Sequence, residues 1–382
     1  MPTDADAVVI GAGLAGSAMA YAMAKKGWDV VLLDKLTFPK HKACGEFLSP
    51  EAQTTLRALG LDSAIRSLHP ADMTKVRIHT EHGSTLEIPL PGLALGMSRF
   101  ALDNQLQASA RAEGAALLEG CSVYAAEPIE DGYRVEYGCQ PSEKLTIRSR
   151  IVIGAGGRRM SGGGFRQSAS ATHDRAYVGI KSHYTRSDHS PIVDLYFFRG
   201  GYIGIAPVEG ERLNVAAIVL RSAYPKLHAA ATIERILEKA IRRIPALEAR
   251  LAGTAPIPGT QAAAFPVAIS GAPRAWSHMP LIGDAAAVIP PFCGDGMAMA
   301  LRSAELCAPL ADAYLRGDIR MAEWRDSYTR QLHEQFSSAL QWGRRLERVM
   351  SRPGLSSLLL RIGSFAPGMA ERIVRATRLQ ID

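Results

Sequence analysis

A glycine-rich turn near the N-terminus has the residue types and spacing of a diphosphate-binding loop. The apolar residues 8–10 lead into Gly11, Gly13 and Gly16, and the next apolar run ends on Asp34. A strand, a tight turn and a helix whose amide end faces an anion bind a pyrophosphate, while the acid reaches a ribose hydroxyl. The pattern therefore predicts a dinucleotide site rather than a purely structural glycine turn.

A second set of glycines lies far downstream. Gly283 and Asp284 close an apolar run, and the sequence PPFCGDGM at residues 290–297 follows. A plain NAD dehydrogenase does not need this second Gly-Asp turn and glycine-rich helix start. The positive end of such a helix favours negative charge on a ligand. The structural alternatives are a buried turn with Asp284 as an N-cap, and a simple capping role for Asp295.

Together these motifs resemble those of glutathione-reductase-like FAD proteins, and within them the geranylgeranyl reductase and aromatic-ring hydroxylase (class A flavoprotein monooxygenase) superfamily. There, the acid that matches Asp284 binds the ribityl chain, and the helix start at 290–297 points at the flavin pyrimidine. Arg99 matches an arginine that heads a helix and contacts FAD, and residues 151–157 match the strand that returns to the FAD domain. The run KACGEFLSP at residues 42–50 is similar to geranylgeranyl reductases and related flavoproteins of natural-product pathways.

The resemblance implies non-covalent FAD and a set of residues that bind it. These residues are Gly11, Gly13, Leu14, Ala15, Gly16, Asp34, Lys35, Lys42, Cys44, Gly45, Arg99, Val123, Gly283, Asp284, Pro291, Gly294, Asp295, Gly296 and Met297. Cys44 would also lie near the isoalloxazine as a catalytic candidate, unless it is only a small residue that allows the turn. Tyr202 would orient substrate or donate a proton, unless it is a core aromatic with a satisfied hydroxyl.

Three positions depart from the family patterns. Gly156 stands where many hydroxylases carry an acid that is associated with nicotinamide-dependent reduction. This departure argues against direct reduction of the flavin by NAD(P)H, which stays a possible electron donor to be tested. Gly204 and Ala206 stand where prenyl reductases carry large aromatics on the substrate strand, which predicts a wider pocket and a ring-bearing or branched substrate. The signature of tryptophan halogenases is absent.

The expected fold is α/β: a Rossmann-like, glutathione-reductase-like FAD-binding domain, an inserted antiparallel-sheet substrate domain and a C-terminal helical region. Residues 1–75, 98–160 and 268–335 would form the discontinuous FAD domain. Residues 76–97 and 161–267 would form the substrate domain, with C-terminal helices over 336–382. The flavin ring would lie at the junction of the two domains, where water is held out.

Composition adds limits on compartment and partners. The chain has 382 residues, 47% hydrophobic and 21% charged, which is ordinary globular usage. The acidic N-terminus has no basic segment of a secretory signal, and no apolar run is long enough to span a bilayer. The five cysteines form no CxxC pattern, which predicts free thiols in a reducing cytoplasm, and the ten histidines show no ligand spacing, so no metal site is expected.

The net charge of +7 is concentrated near the C-terminus. Between Arg344 and Arg378, eight arginines oppose two glutamates among leucines and other apolar residues. This pattern predicts amphipathic helices around Pro353 and Pro367 that either cap the main domains or dock on an anionic membrane surface or an acidic carrier protein. A nucleic-acid partner is not expected, because no basic face with interleaved aromatics is present.

The function expected first is an FAD-dependent oxidoreductase, a monooxygenase or dehydrogenase, acting on a hydrophobic small molecule in a biosynthetic pathway. A cytoplasmic enzyme, peripheral to the membrane if the basic helices dock there, fits this expectation. The alternatives are a reductase of prenyl or other isolated double bonds, supported by the Cys44 run, and a non-catalytic flavin-binding partner of another protein. The sequence leaves open the substrate, the donor or redox partner, and the direction of electron flow.

Overall fold

The computed structural model describes residues 2–81, 83–160, 177–185, 188, 190–221, 233–242, 244–350 and 378–379. The predicted glycine-rich connection over 161–164 lies outside these residues. The predicted helices around Pro353 and Pro367 lie outside them as well.

A six-stranded sheet forms around β1 (Asp4–Ile10), whose last four residues, 7–10, are all apolar and buried because both faces of this part of the strand are covered. The other strands are β2 (Val30–Asp34), β6 (Ala116–Glu119), β7 (Ser122–Ile129), β8 (Gly132–Gly138) and β9 (Leu145–Gly154). The order is β6-β2-β1-β9-β8-β7, in which β6, β2, β1 and β9 run parallel. The β7–β8–β9 part is antiparallel. This is the Rossmann-like arrangement that the first glycine motif predicts.

A second, eight-stranded sheet forms the other half of the molecule. Its strands are β3 (Phe47–Leu48), β4 (Ala71–Thr80), β5 (Thr85–Gly96), β10 (Tyr177–Thr185), β11 (Ile192–Phe198), β12 (Gly201–Val208), β13 (Arg212–Leu220) and β14 (Ala262–Val267). The order is β14-β10-β13-β12-β11-β4-β5-β3, antiparallel except for the parallel pair β11–β4. The sheet is therefore assembled from three separate parts of the chain.

Helices cover the outer faces of both sheets. The helices are α1 (Leu14–Ala24), α2 (Pro50–Leu59), α3 (Asp62–Arg66), α4 (Arg99–Ala112), α5 (Ile233–Ile241), α6 (Pro245–Arg250), α7 (Gly296–Arg316) and α8 (Met321–Met350). Helix α1 is almost wholly buried against β1, α4 and α7. Leu237 of α5 and Leu247 of α6 are fully buried in the core on one face of the second sheet. The opposite face of that sheet is left for a cavity.

Within the described ranges, no helix has the length and apolarity that crossing a membrane requires. The predicted domain boundaries stay a prediction. Helix α8 runs without a break across the predicted boundary between residues 335 and 336.

The prediction of five free thiols is wrong, because Cys121 and Cys139 form a disulfide. Ser122 of β7 pairs with Gly138 of β8, so the two cysteines stand next to the first residue pair of this hairpin. Their separation of 18 residues in sequence hides this proximity. The other three cysteines, Cys44, Cys293 and Cys307, are free thiols.

Gly16 provides a test of how tightly α1 packs on the glycine turn. A Cβ atom at Gly16 would lie 1.8 Å from the carbonyl oxygen of Gly11. We expect Gly16→Ala to lower the free energy of unfolding by about 1–3 kcal/mol, because the helix must shift away from the turn. Gly271→Ala is the control, since its nearest neighbour lies at 3.5 Å. Equal melting temperatures for the two variants would contradict this packing.

Candidate functional site

The turn after β1 opens the N-terminal end of α1 onto a large cavity. Gly11 has φ +111°, and a Cβ atom there would lie 2.3 Å from the carbonyl oxygen of Ala155. Gly13, Leu14 and Ala15 line the cavity, with backbone amides at the positive end of the helix. The first glycine motif thus adopts the conformation that diphosphate binding needs.

Asp34 has a second role that its sequence position does not show. Its carboxylate oxygens accept hydrogen bonds from the amides of Ala12 and Leu36, each at 2.8 Å. The side chain therefore shapes the glycine loop as well as lining the cavity. Each oxygen keeps a further lone pair that a ribose hydroxyl could donate to.

Two cations stand beside the glycine loop, both held by the fully buried Asp103. Lys42 Nζ lies 2.6 Å from Asp103 Oδ2, and Arg99 Nε lies 2.7 Å from Oδ1. Burial alone would raise the pKa of Asp103, but Arg99 and Lys42 lower it below its usual value. A Cβ atom at Gly13 would lie 3.6 Å from Lys42 Nζ and 3.8 Å from Arg99 Nη2. Open backbone, a helix end and two cations together fit a diphosphate.

Asp284 faces the same cavity from the other end of the cofactor region. Its side chain is 44% accessible, and no side-chain capping hydrogen bond is present in the short 3₁₀ turn Gly283–Ala285. The cavity walls around the Asp284 carboxyl group desolvate it and raise its pKa, although the charges of Arg158, Arg99 and Lys42 oppose the rise. The amide of Gly283 donates to Ser303 Oγ at 2.8 Å, which fixes the turn on α7. Arg158 Nε lies 4.0 Å from Asp284 Oδ2, and the carboxyl group remains accessible to a ligand hydroxyl.

Asp295 does not act as the helix cap that the sequence suggested. It occupies the N-cap position of α7, but its side chain makes no capping hydrogen bond. The carboxylate instead turns inward, 3.3 Å from Arg378 Nη1 and 3.2 Å from the amide of Leu379. Burial raises the pKa of Asp295 to about 7, with Arg378 opposing the rise. The competing partner comes from the C-terminal end of the chain, so local sequence could not reveal it.

The face of the second sheet that points to the cavity carries Tyr202, Gly204 and Ala206 at alternate positions of β12. Two rings that the sequence analysis did not single out join Tyr202. The ring centroid of Phe197 lies 5.3 Å from that of Tyr202, and that of Phe292 lies 6.0 Å away. The cavity thus keeps an aromatic wall at different positions from those in the prenyl reductase pattern.

Cys44 lines the cavity from the loop that precedes β3. Its Sγ accepts a hydrogen bond from the amide of Glu46 at 3.4 Å, and its carbonyl accepts one from Asn214 Nδ2 at 2.9 Å. Burial raises the pKa of the thiol, with Arg99 opposing the rise. The thiol is therefore protonated at neutral pH and lies within the cavity wall.

A buried polar group under this loop is the main feature that the sequence analysis missed. Ligand atoms of His41, Glu46 and His183 lie within 4.8 Å of one another, a grouping that a metal ion could use. Lys181 Nζ lies 3.2 Å from His41 Nδ1, 3.0 Å from Glu46 Oε1 and 2.8 Å from His183 Nε2. The ammonium group thus takes the position of the cation. The cluster joins two short segments, one before β3 and one on β10, that are 140 residues apart in sequence. The K-x-H pattern on β10 is a local hint of it.

The structure brings most of the predicted site residues to one cavity of about 1380 Å³. Two predicted residues, Gly16 and Asp295, do not line it. The predicted residues that do are Gly11, Gly13, Leu14, Ala15, Asp34, Lys35, Lys42, Cys44, Gly45, Arg99, Val123, Tyr202, Gly283, Asp284, Pro291, Gly294, Gly296 and Met297. The two glycine motifs, about 270 residues apart in sequence, therefore open onto the same space.

Gly13 provides a test of the diphosphate position. We expect Gly13→Val to remove FAD from the purified protein, because a branched side chain would stand between the loop backbone and the cations Lys42 and Arg99. Acid release and chromatography of the flavin measure its content. Gly271→Val, on the surface, is the control and keeps its flavin. Wild-type FAD content in Gly13→Val would place the diphosphate elsewhere.

The half-buried His41 makes acid sensitivity testable. Burial, reinforced by Lys181 and His183, lowers its pKa from 6.5 to about 4. The folded protein therefore binds fewer protons than the unfolded chain between these values, and its stability falls as pH drops through this window. We expect the melting temperature of His41→Gln to fall less than that of the wild type between pH 6.5 and pH 4. An equal fall in melting temperature for the two proteins would contradict the lowered pKa of His41.

Comparison with known proteins agrees with this geometry. A family model described as "FAD binding domain" matches residues 4–342. A menaquinone reductase of Mycolicibacterium smegmatis is 27% identical, over 92% of this chain and 86% of that protein. Digeranylgeranylglycerophospholipid reductase 1 of Methanothermobacter thermautotrophicus is 25% identical, over 89% of this chain and 86% of that protein.

Among solved structures, the flavin-dependent brominase Bmp2 shares the fold. Its TM-score is 0.78 at 18% identity, over 98% of this chain and 93% of that one. The family match spans most of the sequence and includes both glycine motifs, Arg99 and the Cys44 loop. The chain therefore belongs to the FAD binding domain family, and it is an FAD-dependent oxidoreductase.

Proposed function

We propose that this protein reduces a carbon–carbon double bond in a lipophilic molecule with an extended aliphatic part. The glycine loop, Lys42, Arg99 and Asp284 would hold FAD, which in its reduced form would supply a hydride. The chain itself binds the lipophilic molecule, excludes water from it and provides a proton. Two relatives with reductase names, one for menaquinone and one for digeranylgeranylglycerophospholipid, support this choice over hydroxylation.

One row of apolar residues across the second sheet carries the proposal. Leu86 pairs with Ile78, Ile78 with Leu195, Leu195 with Gly204, and Gly204 with Ala216. All five line the cavity. At about 4.8 Å per strand, the row is roughly 19 Å long. A wall of this length accommodates an extended aliphatic chain.

The free space above this row of residues changes along its length. Gly204 and Ala216 leave room at the end next to Tyr202 and Cys44, whereas Leu195, Ile78 and Leu86 narrow the other end. A bulky or ring-bearing group fits the wide end and an aliphatic chain fits the narrow end. This arrangement combines the ring-bearing substrate that the sequence predicted with the prenyl-like substrate it had placed second.

Three protonated groups surround the wide end. Burial raises the pKa of the thiols of Cys44 and Cys293 and of the phenol of Tyr202. Among the described residues, the Tyr202 hydroxyl has no hydrogen-bond partner, and its ring lines the cavity. Saturation of a double bond needs a proton as well as a hydride, so the Tyr202 hydroxyl is our proposed proton donor.

Anaerobic single turnover tests the reaction. Dithionite-reduced protein is mixed with a short-chain menaquinone or with a geranylgeranyl lipid in detergent, and flavin absorbance is followed. We expect the oxidised flavin spectrum to return without oxygen, and the product to gain two hydrogen atoms. The two added hydrogen atoms must remain after exposure to air. If the quinone ring had been reduced instead, the resulting quinol would lose them again. In a parallel experiment with NADPH instead of dithionite, we expect slow reduction, since Gly156 replaces the family acid.

Other outcomes contradict the proposal in distinct ways. A product that gains an oxygen atom only when oxygen is admitted identifies a hydroxylase. A product that loses two hydrogens on oxidised enzyme identifies a dehydrogenase. Tight FAD binding without turnover of either compound identifies a non-catalytic flavoprotein.

The wide end of the row gives a further prediction. A Cβ atom at Gly204 would lie 3.3 Å from Leu195 Cδ2, so larger side chains must extend into the cavity. We expect Gly204→Trp combined with Ala206→Phe to weaken lipophilic ligand binding by on the order of 2 kcal/mol, about thirtyfold in Kd. Ligand-induced changes in the flavin spectrum measure Kd, and FAD content should not change. Equal affinity would show that these positions do not contact substrate.

A further inference from the structure

Glu46 is held in a conformation that a side chain rarely adopts. Its φ is +57°, in the left-handed region that favours glycine, although Gly45 directly precedes it. The residue is fully buried, so its carboxylate depends entirely on protein partners. A strained backbone persists only where the surroundings determine it, and here the surroundings come from the second sheet and from the start of α4.

The substrate sheet supplies the first set of partners. Lys181 and His183, both in β10 and both fully buried, lie 3.0 Å and 2.6 Å from the two carboxylate oxygens of Glu46. Burial alone would raise the pKa of Glu46, but the bond to His183 and the charge of Lys181 lower it. Asn214 in the neighbouring β13 holds the carbonyl of Cys44. Adjacent strands thus hold both ends of the Cys44–Glu46 segment.

The cofactor side supplies the second set. The amide of Arg99 donates to Glu46 Oε1 at 3.0 Å, and the amide of Met97 donates to the Glu46 carbonyl at 3.1 Å. The Glu46 amide in turn donates to Cys44 Sγ. Arg99 is the residue whose guanidinium stands beside the glycine loop. Glu46 therefore connects the substrate sheet, the proposed diphosphate cation and the cavity thiol through direct hydrogen bonds.

We propose that Lys181 and His183 are positioning residues that act through Glu46. They hold the Cys44–Glu46 segment so that the Cys44 thiol faces the cavity beside Arg99. Stability alone does not explain a buried ion pair, because apolar replacements of similar volume often stabilise a protein as well or better. The ion pair here instead determines geometry, since it makes the conformation of the Cys44–Glu46 segment depend on β10. The inference does not depend on which substrate the cavity takes.

Alkylation of Cys44 by iodoacetamide tests the inference, because it reports loop position without turnover. Cys44 is the half-buried free thiol, whereas Cys293 and Cys307 are buried. Peptide mass spectrometry follows its modification in FAD-loaded and FAD-free protein, with Cys44→Ser as the blank. We expect Lys181→Met to speed alkylation about tenfold or more through easier local opening, and to shift the visible spectrum of bound FAD.

Asp194→Asn is a matched control. Asp194 is 1% exposed and lies 3.1 Å from both His79 Nε2 and Arg250 Nε, in β11 of the same sheet. Its neighbours Val193 and Leu195 line the cavity, so Asp194 points to the opposite face. Its removal disrupts a buried ion cluster of similar kind without touching the loop. We expect the alkylation rate and the flavin spectrum to stay at wild-type values.

The double variant Glu46→Gln with Lys181→Met separates positioning from stability. It leaves no unpaired buried charge, so its melting temperature should recover relative to Lys181→Met. Positioning predicts that Cys44 alkylation stays fast in this variant, because the ion pair between Lys181 of β10 and residue 46 is still missing. Alkylation that returns to the wild-type rate together with stability would overturn the proposal. Equal acceleration in Asp194→Asn would overturn it too.

Discussion

The carboxylate of Glu46 has no route to water, and this constraint organises the centre of the molecule. A buried charge must be matched by nearby donors, and the donors here are Lys181 and His183 from one sheet and the amide of Arg99 from the other half of the protein. The two halves cannot separate without exposing or unpairing it. The cavity between them is therefore bounded by walls in a defined relative position.

Three other acids near the cavity follow the same principle, with different results. Asp103 is neutralised by two cations that remain beside the glycine loop, and together they make a positive region for a diphosphate. Asp284 is paired more loosely, with Arg158 Nε 4.0 Å from its Oδ2, and it is open to the cavity, where a hydroxyl can reach it. Asp295 is matched by Arg378, which reaches it from the end of the chain. Partner placement, not residue type, separates these three roles.

Polar and apolar residues are also segregated across one face of the second sheet. The rows that contain Lys181 and His183 are polar on β10 and become apolar toward β4 and β5. Side chains on one face of a sheet lie in register across strands, so this gradient continues over its whole width. The proposed redox chemistry next to the polar end and the proposed lipophilic chain along the apolar end fit this arrangement.

Local sequence was enough to determine the cofactor half of this protein. Backbone rules that act over a few residues set each of its elements, and the structure has each element where the sequence predicts it. These elements are the glycine turn at Gly11–Gly16, the acid at Asp34, the Gly283-Asp284 turn and the helix at Arg99.

Tertiary structure decided the remaining features, because they depend on partners that are distant in sequence. The disulfide needs the β7–β8 register, and the orientation of Asp295 needs Arg378. The Glu46 cluster needs β10 to lie beneath the Cys44 loop, and the long apolar row needs β4 to pair with β11. Periodicity within one strand cannot specify which strand lies beside it.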